Sequence, residues 1–114
     1  MEEVSVGKVT IAEIIGVLQA CQDDLTITSL YGALVKLHLA KTGPTKIKVL
    51  LDDLVTSRGQ IDKLSKSGKR CEWLVYLYDV VIAIILVKKI DDERAKEALR
   101  EVCRESWAKM LGSL

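Results

Sequence analysis

Gly43-Pro44-Thr45-Lys46-Ile47-Lys48-Val49-Leu50-Leu51-Asp52-Asp53-Leu54-Val55-Thr56-Ser57-Arg58-Gly59-Gln60-Ile61, followed by Asp62-Lys63-Leu64-Ser65-Lys66-Ser67-Gly68-Lys69-Arg70 and Cys71-Glu72-Trp73-Leu74-Val75-Tyr76-Leu77-Tyr78, is the stretch that decides the fold. It reads as a helix, a glycine stop, a short strand, a tight basic turn and a second strand. Gly43-Pro44 opens the helix, because proline at the first helical position has its φ already fixed and lacks a donor that would be orphaned there. Ile47, Leu50, Leu51, Leu54 and Val55 recur at three- and four-residue intervals as one buried stripe. Thr45, Lys46, Lys48, Asp52 and Asp53 fall off that stripe and are expected to face water. Gly59 is the expected stop. Ser67-Gly68, between Lys66 and Lys69, fits a two-residue hairpin turn. Cys71, Trp73, Val75 and Leu77 then alternate with Arg70, Glu72, Leu74 and Tyr76, the period of a strand, which predicts a hairpin of 60–66 with 70–78.

The helices before this stretch complete the pattern. Thr10 and Glu13 have the spacing of a capping box, opening a helix whose apolar face is Ile11, Ile14, Ile15, Val17, Leu18 and Cys21, through to Gln22. Asp23-Asp24 close it. Leu25-Thr26-Ile27 is short and β-branched and reads as a small strand. Thr28 or Ser29 caps a second helix with Leu30, Leu34, Val35, Leu37 and Leu39 on its apolar side; Gly32 inside it suggests a close helix contact. Lys41-Thr42-Gly43-Pro44 is the turn before the basic helix.

Helix, short strand, helix, turn, helix and hairpin over residues 9–78 resemble a winged helix-turn-helix domain of the small transcription-regulator type, archaeal ones included. The resemblance implies a mainly α fold with a small β-hairpin wing, residues 9–78 forming the core and 79–114 a C-terminal helical extension of a single 114-residue domain. It implies duplex DNA as the partner. Thr45, Lys46 and Lys48 would then lie nearest the bases, Lys41 and the helix start at phosphates, and the wing tip, Lys66, Lys69 and Arg70, at the backbone beside the groove. A second register stays open. It makes 45–54 the first helix of the pair, 55–57 the turn and 58–67 the recognition helix, placing Arg58, Gln60, Lys63 and Lys66 at the DNA.

Charge distribution agrees with such a footprint. Net charge over the whole chain is only +1. Residues 41–70, however, hold eight Lys/Arg against three Asp, net +5, while residues 1–40 hold two against five and residues 71–114 seven against eight. The alternative is a solvated lysine-rich surface on a helical protein–protein interaction subunit that binds no nucleic acid.

The C-terminal part carries its own ambiguity. Asp79 can cap a helix over Val80–Lys89; equally, 71–89 can be one helix, which would remove the wing and give an all-α bundle. Asp91-Asp92-Glu93 places acid at the positive end of a last helix. Ala95, Ala98, Leu99, Val102, Cys103, Trp107, Met110 and Leu111 form its stripe, Glu97–Arg100 and Glu101–Arg104 stand at pairing distance, and Gly112 is the expected stop. That stripe either makes a homodimer through residues 95–111 or folds back on Ile82–Leu86.

Composition excludes several classes. Hydrophobic residues make up 49% and charged residues 29%, which is globular rather than disordered usage. Trp73–Val87 is an apolar run shorter than the ~20 residues of a membrane helix and contains Asp79, so no membrane span is expected. Met1-Glu2-Glu3 is acidic where a leader would be basic, and Cys21, Cys71 and Cys103 form no Cys-x-x-Cys pair. Free thiols in a reducing, cytoplasmic setting are expected. The absence of asparagine is a trait of proteins from hot habitats. No phosphate loop, dinucleotide fingerprint or His-x-x-x-His occurs. His38 stands alone between Leu37 and Leu39 as a polar edge residue, and Asp23-Asp24, Asp52-Asp53 and Asp91-Asp92 read as caps and solvated charges. No catalytic residue, metal site or cofactor is expected.

Overall fold

A computed structural model of the chain describes residues 5–6, 9–21, 26–43, 46–68 and 71–113. They form a mainly helical protein, with two compact units over Met1–Ser57 and Arg58–Leu114.

The first unit begins with a two-residue antiparallel pairing of β1 (Ser5–Val6) with β2 (Val9–Thr10), Ser5 opposite Thr10 and Val6 opposite Val9. β2 runs directly into α1 (Ile11–Ala20) through the expected capping box. The Glu13 amide donates to Thr10 Oγ1 at 3.1 Å and the Thr10 amide donates to Glu13 Oε2 at 3.2 Å, so two orphan donors of the first turn are satisfied locally. α1 stops at Ala20, and Asp23-Asp24 lie outside the described residues.

α2 (Ile27–Thr42) starts earlier than the sequence suggests. Thr26 is its cap, with Oγ1 accepting from the Ser29 amide at 3.1 Å. The strand expected over 25–27 is therefore not formed at Thr26 and Ile27, and Thr28 and Ser29 are helical rather than caps. A hydroxyl three residues ahead of an available amide outweighs the β preference of a single Ile27. Leu30, Leu34 and His38, four residues apart, are the buried stripe of α2, and Val9 and Ile14 are buried in the same unit. α1 packs on α2, and both pack on β2. No close approach at Gly32 is found among the described residues, where a Cβ would meet nothing within 4 Å. α2 ends on Gly43, whose φ of 78° is open to glycine, with its amide donating to the Leu39 carbonyl at 2.9 Å.

α3 (Ile47–Lys66) runs straight through Gly59. Gly59 is thus not the stop, and no turn interrupts 55–57, so the separate helix over 58–67 that the second register needs is not formed. The reason is burial. Leu50, Leu54, Ser57 and Ile61 continue one inward face past Gly59, and burying Ile61 outweighs the up to ~1 kcal/mol cost of a helical glycine. Ile47 and Val55, assigned to the stripe by spacing, are instead about half exposed. The true stop is Ser67-Gly68. The Ser67 hydroxyl and amide donate to carbonyls of the last turn, and Gly68 adopts φ 101°. That turn leads to another helix, not to a strand.

The second unit holds the end of α3, α4 (Glu72–Lys89) and α5 (Glu93–Ser113). The hairpin wing expected over 60–66 and 70–78 is not formed: 61–66 finish α3 and 72–78 begin α4. Leu74, Val75, Leu77, Tyr78, Val80, Val81, Ala83 and Ile85 are all buried. A segment apolar on nearly every side suits a helix packed all round, whereas a hairpin wing would leave half of those side chains in water. The architecture is that of the all-α alternative, with the pairing at Ser5–Thr10 the one strand element among the described residues. Asp79 lies inside α4 and does not cap it.

α5 packs along α4, so the C-terminal stripe folds back on its own chain. Asp92 opens the helix, its carboxylate accepting from the Arg94 amide at 3.0 Å and its carbonyl from the Lys96 amide at 2.9 Å. The helix runs through Gly112 to Ser113 instead of ending at the glycine.

Candidate functional site

The basic candidates divide into three groups. Thr45, Lys69 and Arg70 lie outside the described residues. Lys41, Arg58 and Lys66 are each held by a carboxylate. Lys46 and Lys48 are exposed and make no ion pair with a described residue.

Lys41, in the last turn of α2, places Nζ 2.8 Å from Glu13 Oε1, tying the carboxyl end of α2 to the start of α1. The Lys41 hydrogen bond, then the Thr10 amide, hold the Glu13 carboxyl below its usual range. Arg58 makes a forked contact with Asp79: Nε donates to Oδ1 at 2.8 Å and Nη2 to Oδ2 at 3.4 Å. This fork is the job Asp79 performs in place of a cap, and it raises the Arg58 pKa further above neutrality. Lys66 sits 3.2 Å from Asp62 one turn earlier, but its side chain is 77% exposed, so that pair is weak and exchangeable. Among the described candidates Lys41, Arg58 and Lys66 are thus paired with carboxylates. Lys46 and Lys48 stand beside Ile47 and Val49, all four exposed at the start of α3.

The sequence reading missed a buried polar pair. His38 has no exposed surface, and its Nδ1 lies 2.6 Å from Asp53 Oδ2. His38 is thus a core residue of α2 and not an edge residue, and Asp53 does not face water. The available signal was the spacing of His38, four residues after Leu34 and eight after Leu30 on the buried stripe. Ser57, one turn beyond Asp53, is also fully buried. The His38–Asp53 bond ties α2 to α3.

In the second unit, Ile84, Val87 and Lys88 of α4 and Arg100, Cys103 and Arg104 of α5 line an open groove of about 270 Å³. Its edge carries an ion-pair ladder. Arg100 Nη1 reaches Glu97 at 3.2 Å, and Arg104 Nη2 reaches Glu97 at 3.2 Å and Glu101 at 2.6 Å. These contacts include the two pairs expected from spacing. Arg104 and then Arg100 lower the Glu97 pKa. Burial pushes the Cys103 thiol up, with Arg104 opposing. Cys21, Cys71 and Cys103 are all free thiols, and Cys71 Sγ lies 3.8 Å from the Ile61 carbonyl.

Among the described residues no cluster of three or more His, Cys, Asp or Glu side chains could hold a metal ion, and no helix is long and apolar enough to cross a membrane. No family model, curated protein or solved structure matches this chain.

Proposed function

We propose that the chain is a helical interaction subunit that assembles with a second copy of itself through α5. The outer side of α5 carries this reading. Met110 is buried and Leu99, Cys103 and Trp107 are half-buried, yet Val102 keeps 45% of its surface exposed. Ala98, one turn before Val102 on the same side, is exposed as well. A helix already packed on one side that still shows apolar residues on another offers surface for a partner helix. Sedimentation at micromolar concentration should give about 25 kDa, twice the 12.7 kDa chain mass. Val102→Glu should return the protein to a single chain's mass with unchanged helix content. A wild-type species at the mass of one chain would remove this reading.

Lys46 and Lys48 favour a second reading, binding of duplex DNA by the start of α3. They are exposed and unpaired among the described residues, at a helix amino terminus where partial positive charge attracts phosphate. With these two lysines each neutralising one phosphate, log K should fall against log salt with a slope of about −2 for each protomer. Lys46→Ala combined with Lys48→Ala should flatten it. Absence of a shift with any duplex, or a salt-independent one, leaves the interaction subunit standing alone.

A further inference from the structure

We propose that two copies of α5 pair antiparallel about a two-fold axis, with Arg94 of each chain bound to Glu105 of the other. The pairing rests on self-association through α5 and adds to it a direction and a register. What points to it is the charge left over on that helix. Glu93, Lys96, Glu97, Arg100, Glu101 and Arg104 form one chain of ion pairs within α5. Lys109 lies over the Tyr76 ring. Arg94 and Glu105 are the remaining charged side chains of α5. Both are exposed, and neither makes an ion pair among the described residues.

Their placement fits a partner of the same sequence. Arg94 and Glu105 are eleven residues apart, close to three full turns, so they stand on one side of the helix about 16 Å from each other. Ala98 and Glu101 lie between them on that side, with Val102 at its flank, while Ser106 and Met110 are turned the other way and buried. A two-fold interface sets residue i against j and j against i. Run antiparallel, with the axis midway between positions 94 and 105, two copies bring each Arg94 to the partner's Glu105. Ala98 then meets the partner's Glu101 and Val102, and its small side chain leaves room for both. Glu101 adds little uncompensated charge there, since Arg104 holds it at 2.6 Å. A parallel pairing in register would set Arg94 against Arg94 and Glu105 against Glu105. The two unpaired charges therefore select the antiparallel one.

Arg94→Lys keeps the charge and supplies an amine that a carbodiimide joins to a carboxylate in contact with it. Isotope-labelled and unlabelled Arg94→Lys chains are mixed, allowed to exchange and cross-linked, and the linked peptides are read by mass spectrometry. A link from position 94 of a labelled chain to Glu105 of an unlabelled one is expected. Within one helix those positions are about 16 Å apart, too far for a direct bond. In sedimentation, Arg94→Glu and Glu105→Arg should each weaken the dimer on the order of tenfold, because each places like charges together at both ends of the interface. The two substitutions combined should restore wild-type association, with helical circular dichroism unchanged throughout. A dimer that gives no such link, single reversals without effect, or a double variant as weak as either single one overturns the antiparallel pairing and leaves self-association through α5 in place. A wild-type chain that sediments at the mass of one chain removes both.

Discussion

Asp53→Ala should lower the stability of the protein by about 2–4 kcal/mol, because it removes the carboxylate bonded to a fully buried His38. The bond is short, 2.6 Å, and joins residues 15 apart in sequence on two helices, so its loss also loosens α3 from α2. In a urea titration the midpoint should fall with the slope unchanged. Asp52→Ala is the matched comparison. Asp52 is exposed on the same helix, and its removal should stay within about 0.5 kcal/mol of wild type. Asp53→Asn should fall between the two, since an amide oxygen can still accept from an imidazole N–H. Replacing both His38 and Asp53 by leucine should recover much of the loss, as expected when a buried polar pair is exchanged for apolar volume and not halved. Equal effects of Asp52→Ala and Asp53→Ala would show that the pair contributes nothing.

That comparison also marks the limit of what the sequence discloses. Asp52 and Asp53 look alike as a chain of letters, and only a residue on another helix separates them. Local signals were legible. The Thr10–Glu13 box, the acidic opening of α5 and the Glu97–Arg100 and Glu101–Arg104 pairs all lie within one turn, and each forms as spacing dictates. The glycine that ends α3 was misassigned because Gly59 and Gly68 are chemically the same. What separates them is whether apolar positions continue beyond: Ile61 follows Gly59 and is buried, while Gly68 is followed by Lys69-Arg70. The partners of the basic candidates are hidden for a different reason. Arg58 looked available for phosphate because its partner, Asp79, lies 21 residues on, and Lys41 looked available because Glu13 sits on α1. Charge counting along a segment sees the cations and cannot see carboxylates brought from elsewhere in the fold.

The choice between wing and helix over residues 71–78 turns on the same limit, and a proline scan reads it directly. Cys71, Trp73, Val75 and Leu77 alternate as a strand would, but Leu74, Tyr76 and Tyr78 between them are apolar too, so the pattern fits either period. Tyr76 is half-buried, with Lys109 Nζ 6.0 Å from its ring centroid, a contact at the outer limit for a cation–π interaction. Tyr76→Ala removes that contact and some packing but leaves the backbone intact. Tyr76→Pro removes the same side chain and, in addition, the amide that donates one turn back, while the ring clashes with the preceding turn. In the fifth residue of α4 the proline variant should therefore be about 3 kcal/mol less stable than the alanine variant, with a visible loss of helical circular dichroism. Because the total stability of such a domain is on the order of 5–15 kcal/mol, the proline variant should be partly unfolded at 37 °C. An edge strand accommodates proline where its amide faces solvent. A difference between the two variants below about 1 kcal/mol is incompatible with a helix through Tyr76.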